Sequence, residues 1–198
     1  MTLNFFEKLY INSPLRTVAQ RRVVNFLRTL NGLSPGSRVL EIGCGRGVGI
    51  QLIVRAFKPG GVEALDIDPR MIGLAERRLW SLPRNRVSIR LADVHNLPHA
   101  DGSIDAVFDF GTLHHLEDWK RGLHEVARVL RKGGVFYIEE YFPALYANAF
   151  FGKILAHPRD DRFDAAVFRS ALAAKGLRLV DGYRESRVRL MGVAVKGG

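Results

Sequence analysis

The residues of this chain best suited to chemistry are acids placed in or just after short apolar runs. Glu41 lies in Val39-Leu40-Glu41-Ile42, Asp66 closes Ala64-Leu65-Asp66, Asp93 follows Ile89-Arg90-Leu91-Ala92, and Asp109 falls near the end of Ile104–Phe110. A carboxylate is a pure acceptor with two oxygens, suited to a paired sugar diol. Behind the first acid comes Gly43-Cys44-Gly45-Arg46-Gly47. A strand running through such a turn into a helix brings bare backbone N–H groups against a ligand, because no Cβ intervenes. The nicotinamide and flavin fingerprint G-x-G-x-x-G does not fit: its third glycine would fall at Val48 counted from Gly43, or at Ile50 counted from Gly45. After the fourth run, Gly111-Thr112-Leu113-His114-His115-Leu116 supplies a histidine that titrates near neutrality. His114 is the candidate base; a histidine that only shapes the pocket floor is the plain alternative. His95 and His99 are four apart, but Pro98 between them argues against a helical metal pair, and no metal is expected.

These residues need a frame that brings strand ends together. Apolar runs at 38–42, 62–66, 87–91, 104–109 and 134–139 alternate with helical patterns near 48–57, 69–82 and 118–131. Alternation of this kind implies a parallel, doubly wound α/β sheet, and runs apolar at nearly every position suit strands covered on both faces. Ligands in such sheets bind outside the carboxyl ends of the strands. Asp66 stands 23 residues beyond Gly43, where an acid can accept ribose hydroxyls. Helix capping is the plain alternative, and Asp68, ahead of Pro69, fits it better. Residues 15–31 form an amphipathic helix, with Leu15, Val18, Ala19, Val23, Phe26, Leu27 and Leu30 on one face, Ser13 as cap and Gly32 as stop. A shorter helix over 4–12 precedes it. Gly133-Gly134 separates the third core helix from its following strand. In the tail, Asp161–Lys175 reads as a helix ended by Gly176. Leu177–Tyr183 and Val188–Val195 read as strands whose short link, Arg184–Arg187, permits only an antiparallel pair.

The turn Glu41-x-Gly43-x-Gly45-x-Gly47 resembles the first motif of the class I S-adenosylmethionine-dependent methyltransferases. Four more segments resemble that family in order: Ala64–Asp68, Ile89–Val94, Ile104–Leu116 with its Leu-His-His run, and Val129-Leu130-Arg131-Lys132-Gly133-Gly134 before strand five. The Leu-His-His run is similar to that of the ubiquinone and menaquinone biosynthesis methyltransferases. The resemblance implies a Rossmann-like, doubly wound, seven-stranded sheet, mostly parallel with a C-terminal antiparallel strand, plus N-terminal helices. It implies S-adenosylmethionine as cofactor, bound by Glu41, Gly43, Cys44, Gly45, Gly47, Asp66, Ile67, Met71, Asp93, Val94 and Asp109. Asp93 and the Val94 N–H would take the adenine, with Ile67 and Met71 as apolar contacts on the ring. The chain then divides as one domain over 1–198: a helical cap (1–37), a cofactor-binding core (38–140), a substrate lid (141–160) and a helix with an antiparallel hairpin (161–198).

Composition narrows the partners. A net charge of +10 admits nucleic acid, an anionic membrane surface or acidic substrates. The arginines are scattered, with no basic run of five, which describes a solvated surface screened beyond roughly 8 Å at physiological salt. Nucleic acid is therefore not the expected partner. The single cysteine, Cys44, excludes an internal disulfide and fits a reducing compartment. No leader or membrane span is read, so a cytoplasmic monomer or homodimer is expected, with peripheral membrane contact open. Enzymes acting on exocyclic amines of bases carry Asn/Asp-Pro-Pro-aromatic where this chain has Asp109-Phe110-Gly111-Thr112. Cytosine C5 and arsenite methylation need further thiols. Protein arginine methylation needs two glutamates after strand four, whereas Glu139 and Glu140 end strand five. A small, apolar or aromatic molecule or lipid remains, and the aromatic segment 141–155, with Phe150 and Phe151, would line its site. The alternative is an RNA-directed methyltransferase or a non-catalytic S-adenosylmethionine- or RNA-binding protein using the basic surface.

Overall fold

A computed structural model describes residues 14–145 and 163–198. The helix expected over 4–12, the Ser13 cap, and Phe150 and Phe151 lie outside them. In chain order come α1 (Pro14–Leu30), β1 (Arg38–Ile42), α2 (Val48–Phe57), β2 (Gly61–Asp66), α3 (Pro69–Arg78), β3 (Val87–Leu91), β4 (Ile104–Phe110), α4 (Trp119–Val129), β5 (Leu130–Tyr141), α5 (Ala165–Ala174), β6 (Leu177–Leu179), β7 (Arg184–Glu185) and β8 (Arg189–Lys196). Single 3-10 turns at Val94–Asn96, Leu113–His115 and Pro143–Leu145 follow β3, β4 and β5.

The strands form one sheet in the order β3-β2-β1-β4-β5-β8-β6, with β7 on the side of β8. The first five run parallel, and β8 is antiparallel to both β5 and β6. The described sheet has eight strands rather than seven, because the expected link after β6 contains the two-residue β7. The run expected to stay extended to Tyr183 leaves the sheet at Leu179. Strand order reverses between β1 and β4, so a crevice opens outside their carboxyl ends.

The pleat sorts side chains to two cores. Val39, Ala64, Phe108 and Tyr137 face α1, α2 and α3, while Leu40, Leu65, Val107, Phe136 and Ile138 face α4 and α5. In the first core Phe108 stacks on Tyr137 at 4.2 Å between ring centroids, with Phe57 edge-on to both. The Tyr137 hydroxyl reaches the Asn31 and Gly32 carbonyls and holds the end of α1. The same alternation turns Glu139 toward α1 and Glu140 toward the α4 face.

Three expectations are corrected. The edge strand β3 is largely open to solvent, so full coverage holds only for the central strands. The Gly133-Gly134 pair does not separate helix from strand: β5 starts directly at Leu130, and the glycines lie in a bulge. Leu130 pairs with Ile104 and Val135 with Ala106, which leaves Arg131–Gly134 as the extra length. Helix α3 stops at Arg78, four residues short of the span expected. Asp68 caps it by accepting from the Arg70 N–H at 2.8 Å.

Candidate functional site

The glycine turn joins β1 to α2 at the crevice. Gly43, Gly45 and Gly47 all have positive φ, at 60°, 52° and 77°. Gly43 also has no room for a side chain, since an added Cβ would overlap the side chain of Thr112, whose hydroxyl donates to the Ile42 carbonyl at 3.1 Å. Helix α2 begins without a side-chain cap at Gly47, which leaves its first N–H groups to a ligand.

Glu41 is buried at the end of β1, above Gly49, where an added Cβ would overlap its carboxylate. Among the described residues no donor meets its Oε2. Burial pushes its pKa well up, and Asp66 and Asp109 push it further by repulsion. Asp66 clamps the turn: one oxygen accepts from the Gly45 N–H at 2.8 Å and the other from the Asp68 N–H at 2.9 Å. Cys44 donates its N–H to the Leu65 carbonyl, and burial, then Glu41 and Asp66, raise its thiol pKa, so it stays a thiol. The structure thus brings Glu41, the glycine turn, Asp66 and Asp109 to one place.

Asp93 is placed differently. Its Oδ1 caps the turn after β3, accepting from the His95 N–H at 2.9 Å and pairing with the His95 ring at 2.8 Å. Burial raises its pKa, but these bonds outweigh it and the net shift is downward. Val94 is buried, Met71 half-buried, and Ile67 is 61% exposed beyond β2. Leu91, 56% exposed at the end of β3, is a further apolar side chain there.

Beneath the loop after β4 lies an assembly that the linear sequence did not reveal. Asp109 and Glu140 are fully buried on the α4 face. Glu140 accepts from the Leu113 N–H at 2.8 Å and meets His114 Nδ1 at 2.6 Å. On the opposite face Glu139, also fully buried, is held by Arg16 at 3.1 Å, by the Tyr141 hydroxyl at 2.7 Å and by Arg189 at 3.4 Å. Tyr141 in turn packs edge-on to His114, with ring centroids 5.7 Å apart. The one signal available in the sequence was the adjacency of Glu139 and Glu140 inside a strand, which sends two acids to opposite faces.

Burial raises the Asp109 pKa well above the carboxylate range, and Glu140 raises it further. A carboxyl raised by folding stabilises the fold below its ordinary pKa and loses that contribution as pH climbs. Asp109→Asn, which does not titrate, should therefore gain in Tm relative to the parent as the pH is taken from about 5 to about 8.5. Thermal melts across that range check this; a constant difference would contradict it.

Residues 40–138 match the family model of a methyltransferase domain. The chain belongs to that family. The fold and glycine turn are those of its class I, S-adenosylmethionine-dependent members, and S-adenosylmethionine is the cofactor. The site fits it: among the described residues no N–H or O–H donor meets the buried acceptor Glu41 Oε2, and the ligand carries an ammonium. The phthiotriol/phenolphthiotriol dimycocerosates methyltransferase of Mycobacterium leprae is 37% identical over 99 residues, 50% of this chain and 36% of the relative. The fatty-acid O-methyltransferase of Mycolicibacterium smegmatis is 37% identical over 103 residues, 51% of this chain and 36% of the relative. This methyltransferase chain thus spans just over one third of the length of those relatives in the matched region. In fold it is similar to geranyl diphosphate C-methyltransferase of Streptomyces coelicolor, solved with S-adenosyl-L-homocysteine: TM-score 0.72, 17% identity, covering 90% of this chain and 76% of that one. Among the described residues no helix is long and apolar enough to cross a membrane.

Proposed function

We propose that the chain transfers the methyl group of S-adenosylmethionine to an apolar or aromatic small molecule or lipid, by in-line attack. The observation that carries this is the convergence of Glu41, Asp66, Asp109 and the glycine turn beside His114. Asp66, already fixed by two backbone N–H groups, would accept from the ribose hydroxyls, and the turn's N–H groups would face the methionine part. Asp93 and Val94 would take the adenine, with Ile67 and Met71 against its ring. Glu41 Oε2 offers a buried acceptor for the ligand's ammonium, while Asp109 borders the site as a neutral acid. The bound cofactor supplies a methyl already activated on a sulfonium, so the protein contributes mainly orientation, a term that reaches roughly 7–11 kcal/mol. His114 would take the acceptor's proton where the nucleophile arrives protonated. The acceptor class is supported by the absence of motifs for bases, thiols and arginines, and by relatives whose names specify a phthiotriol lipid and a fatty acid.

The test is to incubate the chain with methyl-labelled S-adenosylmethionine and fractionated cell extract, then separate lipid, RNA and protein. Label in the small-molecule or lipid fraction is expected. Label confined to RNA or protein, or transferred nowhere, would overturn the proposal.

A further inference from the structure

We propose that Glu140 is a positioning residue for His114, and that Asp109 holds the proton that lets it act as one. The proposal rests on the reading of His114 as the base. It begins with sheet register. Asp109 pairs with Ile138 on the neighbouring parallel strand, so Asp109 and Glu140 lie on one face, two residues apart along the sheet. Both are fully buried. Asp109 Oδ1 accepts from the Thr112 N–H at 2.7 Å, whereas among the described residues no N–H or O–H donor meets Oδ2. The two carboxyl groups thus share one buried face of the sheet, and each perturbs the other's titration. Two carboxylates side by side in low dielectric do not both ionise, so the pair holds a proton on one.

The other neighbours decide which one. Glu140 accepts from the Leu113 N–H at 2.8 Å and the Tyr141 N–H at 3.2 Å and faces His114 Nδ1 at 2.6 Å. Two backbone donors stabilise a charge on Glu140 against one on Asp109, so Glu140 is the carboxylate and Asp109 the acid. A carboxylate facing Nδ1 fixes the ring proton there and leaves the lone pair on Nε2, the tautomer a base needs. During transfer the acceptor's proton would pass to Nε2 while its electron pair takes the methyl and the C–S pair stays with sulfur. Glu140 would offset the imidazolium charge, and Asp109 would keep its proton throughout.

Among the described residues, other ionisable groups also face the pair. From β1, Glu41 repels Asp109. From β5, Glu139 and Tyr141 bond each other, with Arg16 of α1 and Arg189 of β8 on that same carboxylate. His115 lies against His114 at 4.1 Å between rings. Burial lifts the Glu140 pKa to about 7, so Glu140 is fully the carboxylate that faces the ring only above neutrality.

The experiment is 15N NMR of histidine-labelled protein at about pH 8, where the pair retains a single proton, with His114 assigned by His114→Gln. In Glu140→Gln, the Leu113 N–H holds the amide oxygen and turns the NH2 toward Nδ1. The parent should show His114 protonated on Nδ1 and the variant on Nε2; Asp109→Asn, neutral like the acid it replaces, should keep Nδ1. An unchanged tautomer in Glu140→Gln would overturn the proposal, and so would a parent protonated on Nε2. If that variant fails to fold, the parent spectrum alone decides. S-adenosylhomocysteine is titrated into the parent in parallel: absence of binding there would break the methyl-transfer reading while leaving the tautomer result standing.

Discussion

Arg16→Met is expected to lower the stability of the chain, with a Tm roughly 10 °C below the parent. Arg16 donates two N–H groups, at 3.2 and 3.1 Å, to a Glu139 carboxylate that has no exposure of its own. Removing one partner of a buried pair costs roughly 3–5 kcal/mol, because the remaining charge stays in low dielectric. Arg189, at 3.4 Å and about one third exposed, and the Tyr141 hydroxyl keep the loss near the lower end. In a chain of this size each kcal/mol moves Tm by about 2–4 °C. Methionine retains most of the apolar stem, so the charge rather than the packing is tested. Glu139→Gln in the same chain should recover much of the loss, since a neutral amide needs no counter-ion. Thermal melts of the two variants check both statements; a Tm within a degree or two of the parent for Arg16→Met would contradict the first.

Gly43→Ala should weaken S-adenosylmethionine binding by about 100-fold, which is roughly 2.7 kcal/mol. Two costs combine. The backbone at φ 60° disfavours any side chain by roughly 1–2 kcal/mol. The new methyl would also overlap Thr112, which is tied to the Ile42 carbonyl and to Asp109 and has nowhere to go. The turn must shift, and the N–H groups aimed at the ligand shift with it. Thr112→Gly added to Gly43→Ala clears the overlap but not the backbone term, so about half of the lost affinity should return. Calorimetric titration of the three proteins measures this, and an unchanged affinity in Gly43→Ala would remove the turn from the site.

The core of the fold was legible because its cause is local. Apolar runs such as Val39–Ile42 and Ile104–Phe110 are strands whatever surrounds them, and Asp68-Pro69 marks a helix start through its own hydrogen bond. Which strand lies at an edge is not local, and so β3 was expected to be covered and is not. The bulge in β5 follows from pairing with β4, and β7 from pairing with β8; neither leaves a trace in its own residues. The site divides in the same way. Acids at strand ends, Glu41, Asp66 and Asp109, follow from the rule that ligands sit at carboxyl ends. Gly49 and Thr112 matter through what stands opposite them. Arg16 meets Glu139 across 123 residues, and His114 meets Glu140 across 26. Such partners are fixed by the sheet and become visible only once the strands are in order.

The central claim is that the buried acids and the glycine turn form one site for the methyl donor. Titration of S-adenosylhomocysteine into the folded chain by calorimetry tests it most directly. One molecule bound per chain, with the heat sharply reduced in Gly43→Ala, is the expected result. A chain that melts cooperatively yet gives no heat with either the product or S-adenosylmethionine would contradict it.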